Sequence, residues 1–107
     1  MVKARQALIK EEIVEALQEK EAVLLMLSTT MCPPCKHLTP IFFEIAEGYP
    51  NITFIKANLD EVPEINQIVS TGSVPTLVFY KKGIEVYRTL GFMEGSKLRA
   101  LIERHLQ

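Results

Sequence analysis

The sequence is short of the features that would assign a chain to a special class. Its 12 basic residues against 13 acidic ones leave a formal net charge of −1. There is therefore no positive excess of the kind that holds a nucleic acid or an anionic membrane surface. No apolar run approaches the roughly 18 residues of a membrane span, and Met1-Val2-Lys3-Ala4-Arg5-Gln6 is too polar to lead into a signal-peptide apolar region. A soluble, cytoplasmic chain is expected. Cysteine is scarce, with 2 in 107 residues, and both fall in Cys32-Pro33-Pro34-Cys35. Such near neighbours cannot cross-link distant segments, which argues against a disulfide-stapled scaffold. With only His37 and His105, and no second CxxC, one chain lacks the usual four ligands of a zinc site, so no metal or cofactor is expected. Repeats and low-complexity linkers are missing too. The length suits one domain of two packed layers, taken as residues 1–107.

The patterning that is present alternates helix and strand. Ile9, Ile13, Ala16 and Leu17 recur at helical spacing among charged residues and predict a helix over 8–20. Residues 2–7 read either as a short edge strand or as an early turn of that helix. Ala22-Val23-Leu24-Leu25-Met26-Leu27 is a continuous apolar run, the pattern of a strand buried on both faces. A long helix is expected over 33–48, on the periodicity of Leu38, Ile41, Phe42 and Ile45, with a kink near 36–40 caused by Pro40. A strand over 52–58 follows. Asp60-Glu61-Val62-Pro63 then starts a short helix at 62–69, with acids at its positive end. Thr76–Tyr80 and Ile84–Leu90 form a hairpin about Lys81-Lys82-Gly83. In the final helix Leu98, Leu101, Ile102 and His105 share a face. The order implies an α/β fold: a mixed sheet of four or five strands, helices on both faces, one right-handed crossover and an antiparallel edge.

Cys32 lies where a buried strand ends and a helix begins. Unpaired amides and the helix dipole favour an anion there, and the thiolate is the attacking species in disulfide exchange. Cys35, one turn on, is placed to attack a mixed disulfide formed at Cys32 and to release its partner. Pro33 and Pro34 lack amide hydrogens and stiffen the ring at positions that tolerate proline. Two structural buried cysteines are the plain alternative.

These residues, together with Lys36, Pro40, Lys56-Ala57-Asn58-Leu59-Asp60, Ser73-Val74-Pro75-Thr76, Lys82-Gly83 and Gly91, resemble the thioredoxin family over nearly the whole chain. The resemblance implies a thioredoxin-like fold with Pro75 cis and facing the cysteine turn. It also implies that the Val74 backbone pairs with an extended substrate segment and that Gly91 lines the same groove. Met31, Pro33 and Phe92 join Val74, Pro75 and Gly91 as expected substrate contacts, with Pro34 and Lys56 in support. Three positions depart from the family pattern. Pro33 replaces a glycine, Met31 a tryptophan, and Met26 the buried acid that deprotonates the resolving cysteine.

The leading expectation is a thiol-disulfide oxidoreductase, with Cys32 as nucleophile and Cys35 resolving. It would act as a monomer on protein disulfides and be reset by a thioredoxin-reductase-type donor or a low-molecular-weight thiol, without nucleic acid or membrane. Met26 and Met31 keep open a second reading, a protein-binding module with slow or vestigial redox chemistry. A glutathione-dependent, glutaredoxin-like activity ranks third. His37 is expected to face solvent, and His105 to pack at the rim of the last helix.

Overall fold

The computed structural model describes residues 4–107. In chain order the elements are β1 (Arg5–Ala7), α1 (Lys10–Glu19), β2 (Ala22–Ser28), α2 (Pro33–Ala46), β3 (Thr53–Asn58), a 3₁₀ helix (Pro63–Gln67), β4 (Thr76–Lys81), β5 (Ile84–Leu90) and α3 (Gly95–His105). Every residue of β2 is buried. Side chains alternate across a strand, so this pattern requires cover on both faces. The cover is present. Leu24 and Met26 join Phe42, Phe54, Phe79, Leu98 and Ile102 in one cluster, beneath α2 and α3. Val23, Leu25 and Leu27 join Ile13, Ala16, Ile55, Ile65 and Val78 in the other, beneath α1 and the 3₁₀ helix.

The sheet has five strands in the order β1-β3-β2-β4-β5. β1 and β2 both run parallel to β3, and β4 and β5 continue antiparallel. The open reading of residues 2–7 resolves as a strand at Arg5–Ala7, while positions 2 and 3 lie outside the described residues. β1 pairs with β3, far along the chain, so local periodicity carried no signal for it. Its presence makes the β1–α1–β2 connection a second crossover, where the sequence implied one.

The short helix expected over 62–69 is instead the 3₁₀ helix, with the Ile65 amide donating to the Val62 carbonyl at 3.1 Å and the Ile68 amide to the Ile65 carbonyl at 2.9 Å. Three residues per turn place Val62 and Ile65 on the buried side together. α1 begins two positions later than its periodicity suggests. The Glu12 carboxylate accepts the amides of Leu8 at 2.8 Å and Ile9 at 3.2 Å, so those residues belong to the cap. The β4–β5 turn is held by Lys82 and Gly83, both at positive φ. A Cβ on Gly83 would stand 2.8 Å from the Leu17 carbonyl oxygen, so glycine is required where the hairpin meets α1.

Candidate active site

The end of β2 and the start of α2 set the cysteines. Cys32 is the residue that caps α2, in extended conformation, and Pro33 and Pro34 follow in the first turn, where no amide donor is needed. The Cys35 amide donates to Cys32 Sγ at 3.2 Å, and the Lys36 amide to the Cys32 carbonyl at 3.1 Å. A sulfur at this position therefore receives an N–H and the positive end of the helix dipole. The two Sγ atoms are joined as a disulfide, with the Cα atoms 5.2 Å apart. Both cysteines are buried, at 5% and 2% exposure.

The segment leading into the pair is fastened from β3. The Thr30 amide donates to Asp60 Oδ2 at 2.9 Å, Asn58 Nδ2 donates to Thr30 Oγ1 at 3.3 Å, and the Asp60 amide donates to Asn58 Oδ1 at 2.8 Å. Sequence reasoning read Asp60 as a helix-start acid. Its carboxylate instead braces the approach to Cys32, a role visible only once β2 and β3 are paired in register.

Other expected site residues fall into three groups. Val74, Pro75 and Gly91 come together. The Val74–Pro75 peptide is cis, the Gly91 amide donates to the Pro75 carbonyl at 2.8 Å, and Val74 packs against the cluster that holds both cysteines. Met31, at 87% exposed, stands free beside Cys32, and Phe92 is half exposed. Met26 is fully buried in the same cluster as Cys35, where a thioether has no proton to accept or give at neutral pH. Lys56 lies beside Met26 in the β2–β3 register, and its ammonium donates to Gln6 Oε1 at 3.4 Å.

An apolar groove of about 620 Å³ opens beside the disulfide, lined by Pro33, Pro34, His37, Ile41 and Phe92. His37 is exposed, as expected, and lines this groove, whereas Ile41 was missed as a groove residue. The i, i+4 spacing of Pro33, His37 and Ile41 put them on one face of α2, but the facing wall, Phe92, comes from the distant β5–α3 connection. His105 packs at the rim as expected, stacked on Tyr87 with ring centroids 4.1 Å apart. Among the described residues no three His, Cys, Asp or Glu side chains cluster as metal ligands, and no helix is long and apolar enough to cross a membrane.

A bridged cysteine pair one turn apart at a helix start, on a five-stranded mixed sheet, defines a thiol-disulfide oxidoreductase. Comparison with known proteins gives the family. The thioredoxin family model matches residues 4–104. The chain is 36% identical over 83 residues to thioredoxin of Chlamydia trachomatis, covering 78% of this chain and 81% of that protein. It is 31% identical over 94 residues to thioredoxin of Mycoplasmoides gallisepticum, covering 88% and 94%. The solved structure of Plasmodium falciparum thioredoxin superposes with a TM-score of 0.86 at 31% identity, over 94% of this chain and 98% of that one. The chain belongs to the thioredoxin family. Membership implies protein disulfides as substrates and a reductase-type electron donor.

Proposed function

We propose that Cys32 is the attacking sulfur and Cys35 the resolving one, in a Cys-Pro-Pro-Cys variant of the family poised toward the oxidising end of its range. The observation that carries this reading is the Cys35 amide directed at Cys32 Sγ at the start of α2. In the reduced protein that amide and the helix dipole face the Cys32 thiolate, and stabilising the reduced form makes the pair a stronger oxidant. The Cys32 thiolate displaces one sulfur of a substrate disulfide as a leaving thiolate. Cys35 then loses its proton and attacks Cys32 Sγ, forming the intramolecular disulfide and releasing the second substrate thiolate. The substrate gains two electrons, and an external dithiol donor or low-molecular-weight thiol restores the pair. With Met26 in place of an acid, the Cys35 proton passes to water or another base, which slows the second step.

Substrate segments lie across Met31, Pro33, Val74, Pro75, Gly91 and Phe92, with Pro34 stiffening the ring. Lys56 contributes positive charge on the sheet face that holds the pair. Residues 1–107 act as one domain, as a cytoplasmic monomer that needs neither nucleic acid nor membrane. Two measurements test the chemistry. Incubated with a protein disulfide, Cys35→Ser is expected to accumulate a covalent adduct at Cys32 while Cys32→Ser accumulates none; turnover retained by Cys32→Ser overturns the assignment. Equilibration in glutathione buffers, with free thiols counted by mass spectrometry, should give a reversible two-electron transition, and no such transition at any poise would refute the redox reading.

A further inference from the structure

The loop ahead of β4 is closed by side chains as well as by the sheet. Thr76, the first residue of β4, is fully buried and stands opposite Leu27 of β2 and Leu90 of β5. Its hydroxyl donates back across the cis Val74–Pro75 peptide to the Ser73 carbonyl, at 2.6 Å. Thr71 completes the closure. Its Oγ1 lies 2.7 Å from Thr76 Oγ1 and 3.0 Å from the Ser73 carbonyl oxygen, and it accepts the Ser73 amide at 3.4 Å. Each hydroxyl has one proton to give. With that of Thr76 committed to the shorter contact, the Thr71 proton goes to Thr76 Oγ1. The bonds then run in one direction around a closed ring, from the Ser73 amide to Thr71, from Thr71 to Thr76, and from Thr76 to the Ser73 carbonyl. Hydrogen bonds chained in this way polarise one another and strengthen together.

The ring fixes the backbone on either side of Val74. Ser73 is held at both its amide and its carbonyl by the two threonines, and the Pro75 carbonyl accepts the Gly91 amide at 2.8 Å. Between these anchors Val74 is half-buried, and among the described residues its own amide and carbonyl have no hydrogen-bond partner. Resting on Cys32 as the attacking sulfur and on Val74 as the residue whose backbone pairs with the substrate, we infer that Thr71 is a positioning residue for protein substrates. Its hydroxyl, acting through Thr76 and Ser73, holds the Val74 amide and carbonyl in the frame of β2, the strand that leads to Cys32. A segment that pairs with backbone already held orders less chain on binding, and the difference appears as affinity. The hydroxyl is what the position requires. Valine has the same shape but neither gives nor accepts a hydrogen bond, so it would leave Thr76 Oγ1 and the Ser73 amide without that partner. The effect is confined to substrates with a backbone to pair, since a small aromatic disulfide reaches Cys32 without engaging Val74.

The test mixes pre-reduced wild type, Thr71→Val and Thr71→Ser with a protein disulfide and, separately, with a small aromatic disulfide, and compares second-order rate constants in a single turnover. Thr71 lies in a loop and is only half-buried, so both substitutions leave the core intact. Thr71→Val is expected to react about fivefold more slowly than wild type with the protein disulfide and equally fast with the small one. Thr71→Ser, which keeps the hydroxyl, should match wild type on both. Equal rates for all three proteins on the protein disulfide, equal slowing of Thr71→Val on both substrates, or slowing of Thr71→Ser as great as that of Thr71→Val overturns the proposal. A second measurement involves no redox chemistry. In the oxidised protein without substrate, nitrogen-15 relaxation should give backbone order parameters at Ser73 and Val74 of about 0.85 in wild type and Thr71→Ser, and lower ones in Thr71→Val. Equal values in all three also overturn the proposal. Should Thr71→Val loosen Val74 while neither disulfide reacts with any of the proteins, the positioning by Thr71 stands and the Cys32 reading falls.

Discussion

Burial and the neighbouring Glu85 carboxylate both disfavour the phenolate of Tyr80, and its pKa is pushed up to about 12 despite the opposing charge of Arg88. In the unfolded chain tyrosine ionises near pH 10. The neutral form that folding prefers is therefore fully populated in both states below about pH 10, and stability is lost as pH rises through about 10 toward 12. Urea denaturation of the oxidised protein, in which the cysteines do not titrate, should show this alkaline decline, and Tyr80→Phe should flatten it. Legibility at this scale was uneven. Cys32 and Cys35 declared themselves through the strand-to-helix junction and their spacing, and Met26 through the length of the apolar run. Ile41 did not, because a groove needs two walls and the second arrives from the opposite half of the chain.

The connection between elements at Arg88 bears on the loop ahead of Pro75. Its guanidinium pairs with both carboxylate oxygens of Glu85, at 2.8 and 2.9 Å, and donates to the Ser70 carbonyl at 2.6 Å, tying β5 to the loop ahead of Pro75. The hydrogen bond from Arg88 holds Glu85 below the ordinary carboxylate range. Exposed pairs of this kind contribute about 0.5 kcal/mol, present above that range and lost as pH falls through it. Arg88→Ala is thus expected to change global stability little and to speed amide exchange at residues 71–74 selectively, with β2 and β3 unaffected. The core beneath α2 behaves differently. Phe42 is fully buried, with its ring centroid 5.3 Å from that of Phe54 in an edge-to-face arrangement. Phe42→Ala should lower stability by about 3–5 kcal/mol in urea titrations. Most element types were readable from periodicity, whereas the 3₁₀ character of Pro63–Gln67 and the strand at Arg5–Ala7 depended on what each packs against.

Across the whole molecule, two clusters of buried side chains lie on opposite faces of one sheet, and the cysteines belong to the cluster under α2 and α3. Opening or closing the bridge therefore alters a structure that is also being held together. Folding and reduction form a closed thermodynamic cycle: the difference in unfolding free energy between reduced and oxidised protein equals the difference in reduction potential between the pair in the fold and the same pair in the unfolded chain, with about 1.4 kcal/mol corresponding to 30 mV. Urea titrations of the two redox forms, with no electron donor or substrate present, thus weigh how far the fold itself biases electron flow. A pair poised toward oxidation should leave the reduced protein the more stable of the two, and the reverse order would mark the fold as one that drives electrons outward.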